Sequence, residues 1–142
     1  MSDQPLTIAV DLDGTLAHYS GWKGYHCIGD PLPGAVDVCR TLVEAGHTLF
    51  VYTCRCCDAP IIGADGGGEP FAVSNPAVSE SAARHIQIWL RWHGFPLMTV
   101  WTGPGKPFAD VYLDDRAFRI EPMREPGAWW RFLEAVNAGG LK

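Results

Sequence analysis

The sequence predicts a three-layer α/β sandwich around a central, mostly parallel sheet, on three observations. Short, almost wholly apolar runs recur along the chain, as strands buried on both faces require. Segments with apolar residues at helical spacing alternate with them, the order that builds parallel sheets through right-handed crossovers. Three of the runs end on Asp11, Thr53 and Asp114. In sheets of this kind the site lies beyond the carboxyl ends of the strands, so these three polar residues are expected to converge.

The first run, Leu6-Thr7-Ile8-Ala9-Val10, ends at Asp11. Residues 14–32 are rich in Gly and aromatics without a steady period and read as a loop containing one hairpin. Pro33-Gly34 precede a helix with Val36, Cys39, Leu42 and Val43 on one face, and Gly46 stands where a C-terminal glycine belongs. Thr48 to Tyr52 form the second strand and deliver Thr53. Residues 54–77 read as a long loop, Gly-rich around Ala64 to Pro70. Asn75-Pro76 suit the cap and first turn of the next helix. Its inner face carries Ala82, Ile86, Trp89, Leu90 and His93, and Gly94 closes it. Strands follow at Leu97–Trp101 and Ala109–Leu113, then a helix at Trp129–Val136.

Composition narrows the function. A chain of 142 residues is one domain by length, and 47% apolar residues support a packed core. A net charge of −5 and a pI near 5.4 provide no global field for nucleic acid. No apolar stretch is long enough to span a bilayer, and Met1–Pro5 lack a basic leader pattern. The expected location is the cytoplasm, with no membrane partner. The five cysteines include Cys54, Cys56 and Cys57 close together but no second pair. That argues for reduced thiols against a disulfide framework, with zinc as the sharper, less favoured alternative.

Asp11-Leu12-Asp13-Gly14-Thr15-Leu16 puts two carboxylates just past a buried strand. Alone, this could be a strand terminator, because Asp and Gly are ordinary turn residues. An EF-hand loop is excluded by its missing later ligands. The segment resembles the signature of the haloacid dehalogenase superfamily, and the rest follows in that family's order. Thr53 ends a hydrophobic strand, Lys106 lies in Gly105-Lys106-Pro107, and Asp114-Asp115 follow Val111-Tyr112-Leu113. One departure is the short gap from Lys106 to the fourth strand, which leaves the lysine on a loop.

The resemblance implies a Rossmann-like hydrolase that removes phosphate from monoesters. Asp11 would attack phosphorus and carry the phosphoryl group, and Asp13 would act as general acid and base. Mg2+ would be held by Asp11, Asp114 and the Asp13 backbone carbonyl, with Asp115 direct or through water. Thr53 and Lys106 would bind the phosphoryl group. Arg55, close behind Thr53, is a further candidate for phosphate, against a surface salt bridge.

Family members select substrates with cap domains, and neither insertion point here has room for one. The fold is therefore expected to be abbreviated and capless. Such members take large substrates or close the site with a second subunit, which leaves a homo-oligomer open. The expected partner is a phosphorylated substrate, small or large, with nucleic acid disfavoured. Residues 17–30 and 54–77 are the candidate covers, with Gly63–Glu69 as the lid tip. Tyr19, Trp22, Tyr25 and His26 either line the pocket or pack the hairpin. Two other classes stay in view. One is a phosphotransferase or nucleic-acid end phosphatase. The other is a non-catalytic phosphate-binding module.

Overall fold

The structure, a computed structural model, describes residues 4–56, 61–62, 70–72 and 76–140. In chain order the elements are β1 (Thr7–Val10), α1 (Ala35–Glu44), β2 (Thr48–Val51), β3 (Ile61–Ile62), β4 (Pro70–Ala72), α2 (Pro76–Trp92), β5 (Thr99–Val100), β6 (Val111–Leu113) and α3 (Ala128–Asn137). A 3-10 turn, Cys54–Cys56, follows β2. The main sheet has the order β5-β2-β1-β6, and all three pairings are parallel. The fold is the predicted α/β, Rossmann-like one.

Alternation along β1 explains the layering. Ile8, Val10 and Leu12 point to one face and join Leu49 and Val51 of β2 in a single buried cluster. Cys39 of α1 and Ala82, Ile86, Trp89 and Leu90 of α2 belong to the same cluster, as their helical spacing predicts. Ala9 and Phe50, also buried, face the other way. Asp11 continues their side of the pleat.

Both helices stop where glycine was expected to stop them. His47 N donates to Leu42 O and Gly46 N to Val43 O, each at 3.0 Å. Phe95 N donates to Leu90 O at 3.0 Å and Gly94 N to Arg91 O at 3.2 Å. These are Schellman closures, which satisfy carbonyls the helix leaves unpaired.

The loop after β1 is partly organised. Ala17 and Pro31 form an antiparallel bridge, flanked by His18 N to Asp30 O and Leu32 N to Leu16 O, both 2.8 Å. Residues 19–29 form the head of this hairpin, and Trp89 Nε1 of α2 donates to Gly29 O at 3.0 Å. Residues 54–77 differ from the expected plain loop, because β3 and β4 pair antiparallel within them. β-Branched Ile61-Ile62 favour extended backbone, but two residues are too short a signal to stand out. The expected lid tip Gly63–Glu69, the cap Asn75 and Cys57 lie outside the described residues.

Candidate active site

β1 and β6 are neighbours, yet the chain leaves β1 in the opposite direction, towards β2. Such a reversal opens a crevice beyond the strand ends. Asp11 N donates to Leu113 O at 2.9 Å, so the ladder runs to the last residue of both strands. The register Val10↔Leu113 then sets Asp11 beside Asp114. Asp11, Asp114 and Asp115 each offer a carboxylate oxygen, all within 4.8 Å of one another. Among the described residues this is the one acid, His or Cys group that close.

Local chemistry fixes each acid. Arg116 N donates to Asp114 Oδ1 at 2.7 Å, which orients that carboxylate. Asp115 lies against Gly14, where any Cβ would collide with its carboxylate. Gly14 also has φ of 83°, a conformation that costs other residues energy. Asp11 is half-buried, and its pKa is pushed up from 3.8 to about 7. Burial is the main cause; the charges of Asp114, Asp115 and Asp13 add to it, and the bond from the Leu12 amide opposes it. Crowded, partly dehydrated carboxylates on a rigid strand end suit a hard cation.

Asp13 has a different partner. Arg55 Nε donates to Asp13 Oδ2 at 2.7 Å and Nη2 to Oδ1 at 2.8 Å, a bidentate pair. The remaining donors go to loop carbonyls: Nη1 to Gly24 O and Tyr25 O, both 3.1 Å, and Nη2 to Cys27 O at 2.9 Å. All five N–H groups are thereby used, and Arg55 is 4% exposed. The expectation that Arg55 touches phosphate is corrected accordingly: in this structure it clasps Asp13 to the hairpin head. Asp13 further raises the Arg55 pKa, chiefly through the side-chain bond.

Thr53 is buried at the end of β2, and its Oγ1 accepts from Arg55 N at 3.3 Å. A cavity of about 320 Å3 is lined by Asp11, Asp13, Thr53 and Asp114, with Tyr19, Trp22, Tyr52, Cys54 and Arg116. A larger cavity, about 550 Å3, shares Asp13 and Tyr19 but is otherwise bounded by the loop alone. The acid cluster opens into the smaller one. Lys106 stands apart. It is exposed, its Nζ lies 4.2 Å from the centroid of the Tyr112 ring, and it forms no ion pair among the described residues. Tyr112 pairs with Ala9, so the residue whose ring holds Lys106 stands on the sheet face of Asp11, roughly 7 Å further back along the strand.

The aromatic candidates divide. Tyr19 and Trp22 line the cavity, and Tyr25 packs at right angles to Trp22 with centroids 5.0 Å apart. His26 is elsewhere, against His85 of α2 at 4.1 Å. Cys54 lines the cavity while Cys56 is fully buried, so these two thiols diverge. Burial, and then the charges of Asp11 and Asp13, push the Cys54 thiol up. The sequence reading did not place Arg116, Tyr52 or Cys54 in the cavity wall, and weighed Cys54 only as a thiol or zinc ligand. Arg116 had one available signal, a cation directly after the Asp114-Asp115 pair.

No protein-family model matches the chain, and no curated protein matches it. A solved structure described as a conserved protein coded by a locus from Bacteroides thetaiotaomicron is similar at 21% identity, with a TM-score of 0.48. The match covers 96% of this chain and 93% of that one. A likeness at that level carries no argument about activity.

Proposed function

We propose that the chain is a divalent-cation-dependent phosphatase of the haloacid dehalogenase type, with Asp11 as nucleophile. The observation that carries this reading is the convergence of Asp11, Asp114 and Asp115 within 4.8 Å at the reversal of strand order. Mg2+ fits the oxygen-only donor set; Asp11 and Asp114 would hold it, with the Asp13 carbonyl and Asp115 completing the protein ligands. A bound cation there offsets the negative charge that would otherwise repel a phosphate.

The chain's own groups supply the rest. The Asp11 carboxylate attacks phosphorus, forming an aspartyl phosphate as the ester oxygen departs. Asp13 gives that oxygen a proton and later takes one from the water that cleaves the acyl phosphate. While Asp13 carries the proton, one of its two oxygens becomes a weaker acceptor for Arg55. Thr53, on the cavity wall, would hold a phosphoryl oxygen. Lys106 serves only if its stem swings off the Tyr112 ring.

Hydrolysis of p-nitrophenyl phosphate with and without Mg2+ tests the reading. Turnover should appear with the ion and vanish with chelator, and Asp11→Asn should abolish it. Full activity after exhaustive chelation, or in Asp11→Asn, would sink the assignment. Phosphate binding without turnover by the wild-type chain would favour a non-catalytic module instead.

A further inference from the structure

Trp22 combines two properties that pull against each other. It is held firmly, and it is left open. The Arg55 guanidinium carbon lies 4.9 Å from its ring centroid, against one face. Arg55 is itself almost wholly buried and tied to Asp13, Gly24, Tyr25 and Cys27. Tyr25 stands at right angles to the ring. Yet Trp22 remains 54% exposed, and it lines the same cavity as Asp11, Thr53 and Asp114. A ring that merely packed the hairpin would bury its surface and gain from doing so. A rigid ring kept open beside a reactive centre is built to receive another flat surface. Stacking of that kind is tolerant of which ring is presented.

From this geometry we infer that Trp22 is a stacking platform, and that the preferred substrates are phosphomonoesters whose alcohol carries a planar aromatic ring, as nucleoside monophosphates do. The inference rests on the phosphatase reading for its chemistry, but the platform binds rings whether or not turnover occurs. Tyr19 and Tyr52 line the same cavity and extend its aromatic surface. Its volume, about 320 Å3, is at the small end of ligand sites. That favours one ring system beside the phosphate over a long polymer. The clasp that fixes Asp13 fixes the platform too, so the group at the leaving oxygen and the group that reads the leaving alcohol are set by one side chain.

The test compares adenosine and uridine 5′-monophosphates with ribose 5-phosphate, which share the phosphorylated sugar and differ in the base. Stacking should favour the nucleotides in kcat/KM by roughly 5- to 150-fold. Trp22→Ala should bring that ratio towards one, and Trp22→Phe should restore most of it. Binding is read separately by nuclear magnetic resonance of the Trp22 ring protons, titrating adenosine into the intact chain in chelator. Adenosine should shift those protons. A wild-type ratio near one, or a ratio unchanged in Trp22→Ala, overturns the inference, as does an unmoved Trp22 signal at millimolar adenosine. If no phosphate ester is turned over, the phosphatase reading fails, and the adenosine titration alone decides for or against the platform.

Discussion

Arg55 shows how much one side chain can organise. Its guanidinium serves Asp13 and three loop carbonyls at once. Arg55→Ala strands a carboxylate and those carbonyls together, so a loss of about 3–5 kcal/mol is expected in urea unfolding. Arg55→Lys keeps the charge but has three donors rather than five. It should recover part of the stability and leave Asp13 less well held. Asp13→Asn separates the two chemical steps. With p-nitrophenyl phosphate the leaving group needs no proton, so a burst of p-nitrophenol should precede slow turnover, with phosphate retained on Asp11. Wild-type rates on every substrate in Asp13→Asn would remove Asp13 from the mechanism.

Asp11 makes a pH-dependent prediction. Its folded-state pKa, about 7, lies above the ordinary 3.8. The folded chain therefore holds that proton more tightly than the unfolded chain does. The resulting stabilisation is complete below 3.8 and is lost as pH rises through about 7. Without divalent cation, the wild-type Tm should fall across that window by more than the Tm of Asp11→Asn. Added Mg2+ should raise Tm more at pH 8 than at pH 5, because it replaces the proton among the carboxylates. Equal slopes for the two proteins would show that Asp11 is not perturbed.

Among the elements, what the sequence made legible followed from local pattern. The faces of α1 and α2 were readable because apolar spacing reports burial directly, and Ile86, on that inner face, is fully buried. Ile86→Ala should cost about 2–5 kcal/mol by leaving a cavity in the shared core. The carboxylates were readable because they sit where strands end. The Arg55 clasp was not, since its partners include backbone carbonyls, which any residue provides, and an acid 42 positions away. Lys106 was placed in the site by its neighbours in sequence, while Tyr112 draws it on to a ring behind Asp11. Gly14 belongs to the same scale, because it joins β1 to the hairpin under the Asp115 carboxylate. Gly14→Ala adds a conformational cost of about 1–2 kcal/mol and pushes Asp115 aside. Circular dichroism should show the fold kept, and Mg2+ affinity measured by calorimetry should drop. Unchanged affinity would mean that Asp115 is not part of the cation site.

For the molecule as a whole, the order of the strands in space is not their order in synthesis. β1 is made first and lies inside the sheet because β6, the last strand, lies beside it. Asp110 seals that junction, donating its amide to Thr7 O at 2.8 Å and accepting from Thr7 N at 2.7 Å. On the ribosome β1 can pair with β2 early, but its other edge stays open until residues 111–113 emerge. At about 5–20 residues per second, the stretch from Val51 to Val111 leaves that edge bare for several seconds. Ile8 and Val10 belong to an apolar strand, and an unpaired apolar edge is a template for other chains. A chain ending at Asp110 would keep this early state indefinitely. Light scattering should show it associating at concentrations where the complete sheet does not. The strand that brings Asp114 to Asp11 is thus also the one that closes β1 against its neighbours in a crowded cell.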